Sequence, residues 1–312
     1  MDHGDKTMIL KDISELTEGR AREFIEGIRW PNGPICPHCG SVENIRKFQG
    51  KVHRAGLYKC NECGQQFTVT VGTIFEKSHI PLRIWLMAFA IMCSSKKGVS
   101  ALQLQRQLGL GSYRSAWHLA HRIRHSMMRE PMASLLKGIV EVDEAYIGGK
   151  PRKPAKEKNR RGRGTKKTPV VALVERDGRV RVHKLDWISS NTLKTAIREN
   201  VDKSSTIMTD ELYSYRGIGN EFEGGHHTVK HSKLEFARKD GAGINTAESF
   251  FALLKRGVTG SFHHISKKHL NRYCDEFSFR WDHRFITDSE RTVMAIRQSE
   301  GRRLIYDLPV QK

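Results

Sequence analysis

The chain has 312 residues, 54 of them Lys or Arg against 34 Asp or Glu, giving a formal net charge of +20. That length exceeds one ordinary domain and leaves ample material for a core, while the excess of cations calls for a polyanionic partner, because neutralising phosphates releases counterions. The opening residues mix charges without a continuous apolar run, and the most apolar stretch, Leu82 to Cys93, is too short for a bilayer; no secretory signal and no membrane span are expected, and a soluble cytoplasmic protein is.

In chain order, residues 8–30 place Ile13, Leu16, Phe24, Ile25 and Ile28 at helical spacing and stop at Trp30-Pro31-Asn32-Gly33-Pro34, so 1–35 is a helical N-terminal segment. Residues 36–72 carry Cys36-x-x-Cys39 and Cys60-x-x-Cys63, each pair followed by a glycine (Gly40, Gly64) suited to a tight knuckle, then a strand-like run from Gln66 to Val71. Two such knuckles offer four thiolates to one structural zinc ion, which predicts a zinc ribbon with His38 facing solvent. Arg46, Lys47, Lys51, Arg54 and Lys59, interleaved with Tyr58 and Phe67, give the ribbon a candidate DNA face; a purely structural role fits the same residues. Cys93 and Cys274 stand alone and read as ordinary buried thiols.

Residues 78–131 form a helical module with breaks at Gly98 and at Gly109-Leu110-Gly111-Ser112. The layout is that of a helix-turn-helix whose second helix, capped by Ser112, turns Tyr113, Arg114, His118, His121, Arg122, Arg124 and His125 toward a major groove, while Ala116, Trp117, Ala120 and Ile123 pack inward.

From Gly138 the pattern changes. Strands are expected at Ile139–Asp143, Pro169–Glu175 and Val180–Leu185, then a helix over Asn191–Asn200 capped by Ser189 or Ser190, strands at Thr206–Thr209 and around His227–His231, and a helix from Asn245 to Arg256. We read the order as β-β-β-α-β-α-β-α, an RNase H-like α/β core with a mixed sheet spanning 137–290, with 291–312 as a C-terminal tail. Ten of the eighteen residues from Lys150 to Lys167 are basic, so the insertion 150–168 cannot pack as core; it is either a DNA-clamping loop or a solvated one. His263, His264, Lys267, Lys268 and His269 are candidate backbone contacts.

Asp143 ends IVEVD and Asp210 ends TIMTD, so two strand-end carboxylates can converge in one sheet. Taken singly, each would be a polar strand terminus. On the helix that follows, Glu248 and Lys255 are seven residues apart and share nearly one face, where a carboxylate could complete a metal pair and the lysine could meet a phosphate.

The runs Asp143-Glu-Ala-Tyr-Ile-Gly-Gly-Lys150, Thr209-Asp210-Glu-Leu-Tyr-Ser-Tyr215, Asn245-Thr-Ala-Glu-Ser-Phe-Phe-Ala-Leu-Leu-Lys-Arg-Gly257 and Ser261-Phe-His-His-Ile-Ser-Lys-Lys-His-Leu270 resemble bacterial insertion-sequence transposases with an N-terminal zinc ribbon and a DDE catalytic domain, the group called ISXO-two-like. The likeness extends over nearly the whole chain. It implies two catalytic magnesium or manganese ions at Asp143, Asp210 and a third residue, with Lys255 as the basic residue that follows. Some subgroups use asparagine as the third residue, so Glu248 and Asn245 both stay open. It further implies binding to double-stranded DNA, both transposon ends and target, by a homodimer or higher oligomer, and strand cleavage followed by joining. A non-catalytic DNA-binding regulator and an RNase H-like nuclease or resolvase are the rival readings. Tyr213 and Tyr215 near Asp210 keep a tyrosine nucleophile open.

Overall fold

The computed structural model describes residues 8–50, 52–129, 134–148, 167–230 and 241–305. Lys51, His231 and the basic insertion as far as residue 166 lie outside them. The chain falls into two units, one of Met1–Ser95, Val99–Met127 and Phe285–Lys312, the other of Lys96–Gly98 and Met128–Arg284.

The first unit holds helices α1 (Leu10–Ser14), α2 (Glu18–Arg29), α3 (Leu82–Ser94), α4 (Ala101–Leu108), α5 (Tyr113–Ser126) and α9 (Asp288–Arg297). Thr17 splits the lead-in in two, its side chain accepting from Arg20 N and so starting α2. At the centre lies α3, whose Trp85, Leu86, Ala88, Phe89, Met92 and Cys93 are buried and which touches all five other helices. A helix enclosed in this way can be apolar all round. Pro81 offers α3 no capping side chain, and the Glu18 carboxylate does so instead, accepting from Leu82 N at 2.7 Å and Arg83 N at 3.2 Å. Helix α9, most of which falls in the expected C-terminal tail, packs on α3, with Arg291 Nη1 donating to the Cys93 carbonyl at 2.8 Å.

Strands β1 (Ile45–Lys47), β2 (Tyr58–Cys60) and β3 (Gln66–Phe67) form an antiparallel sheet that carries the cysteine knuckles. The strand expected over Gln66 to Val71 stops at Phe67. Beyond it the chain turns, with Val71 N bonding Thr68 O and Thr73 N bonding Thr70 O, while the carbonyls of Val69 and Val71 are taken by the Arg29 guanidinium.

Ser100 and Ser112 cap α4 and α5, and Gly109 closes α4 in the left-handed region at φ 63°. The expected groove-facing set needs correction. His121, Arg122 and Arg124 are 0%, 5% and 2% exposed, because α5 is enclosed along its middle: Arg122 donates to the Glu76 carbonyl and lies 5.3 Å from the Trp85 ring centre. Tyr113, Arg114 and Ser115 in the first turn remain exposed.

The second unit is built on a five-stranded sheet of β4 (Ile139–Ile147), β5 (Thr168–Glu175), β6 (Val180–Lys184), β7 (Thr206–Thr209) and β8 (His226–Thr228), in the order β6-β5-β4-β7-β8. The first three are antiparallel neighbours, whereas β7 and β8 run parallel to β4. That order and those directions are RNase H-like. Two short 3-10 turns, Tyr213–Tyr215 and Ile218–Glu221, join β7 to β8 where the expected order has an α-helix.

Alternation along β4 serves both faces. Val140 and Val142 meet Leu193, Ala196 and Ile197 of α6 (Ser190–Asn200, capped by Ser189), while Ala145 and Ile147 join Phe250, Phe251 and Leu254 of α7 (Asn245–Gly257) and Phe277 of α8 (Leu270–Asp282). With helices on both faces, β5 is apolar and buried nearly throughout.

Candidate active site and metal centre

Parallel pairing of β4 with β7 sets Glu141 opposite Met208, and two residues further along each chain stand Asp143 and Asp210. Asp143 is not the end of its strand, as expected, but its middle: β4 leaves β7 after Glu141 and continues beside β5 to Ile147, because Ala145 and Ile147 still have core to bury. Asp210 does follow directly on β7. Its Oδ1 accepts from Leu212 N at 3.0 Å, and Asp143 Oδ1 accepts from Glu144 N at 2.8 Å.

Burial, then the Glu144 carboxylate, push the Asp143 carboxyl up to about 7; Asp210 adds to the rise, while the Glu144 backbone N–H and Lys255 oppose it. Like charges gathered at a partly buried site disfavour their own ionisation, and such a cluster is relieved by a cation. The donors are carboxylate oxygens, which suit Mg²⁺ or Mn²⁺. The acidic residues therefore fit the ions expected of them.

Glu248, Asn245 and Lys255 are all exposed on α7. Ala247, Phe250, Phe251, Leu254 and Gly257 form the buried stripe of that helix, and Lys255 Nζ lies 5.6 Å from the Phe251 ring centre. At roughly 100° per residue, Glu248 and Lys255 share one flank of the stripe and Asn245 points away from it.

Glu141 was not among the residues singled out from sequence. It is 1% exposed and faces the same side of β4 as Asp143. Oε1 accepts from Arg176 Nε at 2.6 Å and Thr246 Oγ1 at 3.0 Å, and Oε2 accepts from the backbone N–H groups of Thr246 at 2.7 Å and Ala247 at 3.0 Å. The N-cap residue of α7, Ile244, provides no capping side chain. Arg176 Nη2 also reaches the Gly243 carbonyl and Met208 Sδ, both at 3.2 Å. The local signal is slight, an acid flanked by the apolar Val140 and Val142.

In the ribbon the four cysteine sulfurs lie within 4.8 Å of one another, with Cys36 to Cys63 and Cys39 to Cys60 both at 3.7 Å. Four sulfurs at zinc–thiolate bond length form a tetrahedron with edges of about 3.8 Å, so the cluster fits one structural zinc ion. The Cys63 backbone N–H, working against desolvation, and the Glu62 N–H bring the Cys60 thiol down to about 7. Gly40 and Gly64 sit at φ 78° and 74°, the conformation each knuckle needs. His38 is exposed, and Lys47 is engaged by Glu26 at 3.3 Å. No trio of carboxylates among the described residues is gathered as tightly as these thiols.

Cys93 and Cys274 are buried, and desolvation raises the Cys274 thiol strongly. Lys267 pairs with Asp186 at 3.3 Å, and His263, His264 and Lys268 are exposed. No helix among the described residues is long and apolar enough to cross a membrane.

Residues 135–282 match the ISXO2-like transposase domain and residues 16–66 the transposase zinc-ribbon domain. An uncharacterised protein of the transposable element ISH50 from Halobacterium salinarum is 27% identical over 276 residues, covering 85% of this chain and 91% of the relative. Among solved structures, the Mos1 transposase paired-end complex with left transposon end is 14% identical over 69% of this chain and 79% of its own, with a TM-score of 0.28. The Mos1 strand transfer complex is 15% identical over 69% of this chain and 74% of its own, with a TM-score of 0.27.

Proposed function

We propose that this chain, which belongs to the ISXO2-like transposases with an N-terminal zinc ribbon, cuts the ends of a transposable element and joins them to target DNA at the acidic cluster of β4, β7 and α7. The observation that carries the reading is the β4–β7 register, which pairs Glu141 with Met208 two residues before Asp143 and Asp210, with Asp210 and Lys255 of α7 both acting on the Asp143 carboxyl. Asp143 and Asp210 would bind the divalent cations. We assign the third position to Glu248 because it shares its helix flank with Lys255, from which Asn245 is turned by roughly 60° or more.

Two Mg²⁺ or Mn²⁺ ions bound there supply Lewis acidity that activates water or a 3′-hydroxyl and stabilises the departing oxygen. The protein's own groups hold and orient. Lys255 and Arg256, both exposed, meet DNA phosphates as fixed positive charge. The exposed first turn of α5, with Tyr113, Arg114 and Ser115, enters the major groove of the end sequence, and the zinc ribbon supports that contact. Bringing two ends together calls for two copies, so the form that acts on DNA is a homodimer or higher oligomer.

Oligonucleotides carrying the flanking repeats, incubated with Mg²⁺ or Mn²⁺, test this. Asp143→Asn and Asp210→Asn should abolish cleavage and joining while retaining DNA binding. Loss of activity in Glu248→Gln with retention in Asn245→Ala would fix the third residue. Full activity in either aspartate variant overturns the mechanism; binding without cleavage in the wild type indicates a regulator, and cleavage without joining a nuclease or resolvase.

A further inference from the structure

We infer that Glu141 is the positioning residue of the acidic site: its buried carboxylate, braced by Arg176, seats the first turn of α7 on β4 and so sets where Glu248 stands relative to Asp143 and Asp210. The inference rests on the proposed transposase reading and deepens it.

Each of the three site residues stands within two residues of a partner in this one network. Asp143 follows Glu141 by two residues on the same face of β4; Asp210 follows Met208, a partner of Arg176, by two; Glu248 directly follows Ala247, whose N–H donates to Glu141. A carboxylate removed from water is strongly disfavoured unless its lone pairs are filled, and Glu141 fills them with four donors, among them a guanidinium. The first backbone N–H groups of a helix have no partner within it, and in α7 Thr246 and Ala247 find theirs on β4 instead of on the N-cap residue. Because the acceptor belongs to the strand that carries Asp143, the helix start is fixed against that strand, and Glu248 lies within its first turn.

A cap that only stabilised the fold would leave cation affinity alone. The test therefore measures Mn²⁺ binding to the full chain without DNA, by electron paramagnetic resonance, together with hydrogen exchange of the backbone amides. In Glu141→Gln one acceptor becomes an NH₂ group facing donors, and the ion pair with Arg176 is lost. We expect Mn²⁺ affinity to fall roughly tenfold or more and amides 246–248 to exchange faster, with those of β5 still protected and the DNA dissociation constant unchanged. Leu193→Ala, a cavity on the opposite face of the sheet, is the control for stability and should change neither Mn²⁺ affinity nor exchange at 246–248. If Glu141→Gln does not fold, Thr246→Val removes the single Oγ1 bond and should shift both readouts the same way by less.

Unchanged affinity and exchange in the variant that folds, or an equal loss of affinity in Leu193→Ala, overturns the positioning role. So does a wild type that binds no Mn²⁺. If Mn²⁺ binding responds as described but the wild type cleaves no DNA, the positioning role stands and the transposase reading falls.

Discussion

The Tyr215 hydroxyl donates to Glu144 Oε2 at 2.7 Å from a side chain that shows 0% of its surface to solvent. Burial first, then the carboxylates of Glu144, Asp210 and Asp143, hold the phenol well above its ordinary pKa, so it is neutral and enclosed. Tyr213 is 72% exposed, with the Arg216 guanidinium 4.5 Å from its ring centre. Tyr215→Phe should cost about 1–2 kcal/mol by leaving Glu144 short of a donor, measured as a shift in urea midpoint. Both Tyr215→Phe and Tyr213→Phe should keep DNA cleavage, and no covalent protein–DNA adduct should survive on a denaturing gel. An adduct lost in either variant would make that tyrosine the nucleophile.

Removing zinc should undo the ribbon. Its strands are two or three residues long, too short to hold without the four thiolates tied together. Metal analysis should find one zinc per chain, and a strong chelator or Cys60→Ser should erase amide protection at 45–47 and 58–60. Protection that outlasts the metal would count against a structural site.

The Arg29 side chain is 1% exposed, and its guanidinium grips Glu300 through two nitrogens, at 2.5 and 2.7 Å, besides the carbonyls of Val69 and Val71. Arg29→Ala should cost about 3 kcal/mol or more, since four acceptors lose their donor at once. Glu300→Ala should cost less, about 1–2 kcal/mol, because Glu300 is 56% exposed and the two carbonyls still hold the guanidinium. Lysine cannot make the fork, so Arg29→Lys should resemble the alanine variant. Thermal melts of the three variants check the ranking.

Asp282, the last residue of α8, accepts from Val180 N at 2.8 Å, with Arg181 Nη1 at 3.6 Å. Burial pushes its carboxyl up to about 6 from 3.8, against the Val180 N–H and Arg181. A raised folded-state pKa means the folded chain holds its proton more tightly, so this contribution to stability is complete below about pH 4 and is lost as pH rises through about 6. Relative to Asp282→Asn, the wild type should therefore lose up to about 3 kcal/mol between pH 4 and 7.5. Denaturation of the pair at both pH values tests the sign; a difference that does not change with pH contradicts it.

The cysteine pairs, the first three strands of the second unit and α7 were legible because their signals are local: a spacing of three, an apolar run, a 3.6-residue stripe. Asp143 and Asp210 were legible as acids placed after apolar strand residues. What escaped depends on distant chain. Glu141 looks like any polar residue in a strand until Thr246, 105 residues later, arrives to use it. The burial of His121, Arg122 and Arg124 follows from neighbours that enclose α5, and no periodicity within α5 reports them. Asp143 looked like a strand end because the apolar alternation weakens at Asp143 and Glu144, whereas β5 continues to pair beyond it.

The first unit is discontinuous in sequence: Phe285–Lys312 belongs with Met1–Ser95 and Val99–Met127, and Arg291 and Arg302 bond carbonyls of Cys93 and Ser126. During synthesis that unit must wait for the whole of the second one to leave the ribosome before α9 can cover α3. A chain cut before Asp288 therefore has α3 without the helix that packs on it. On the proposed reading, the unit that meets DNA is completed only after the residues of the acidic site have been made.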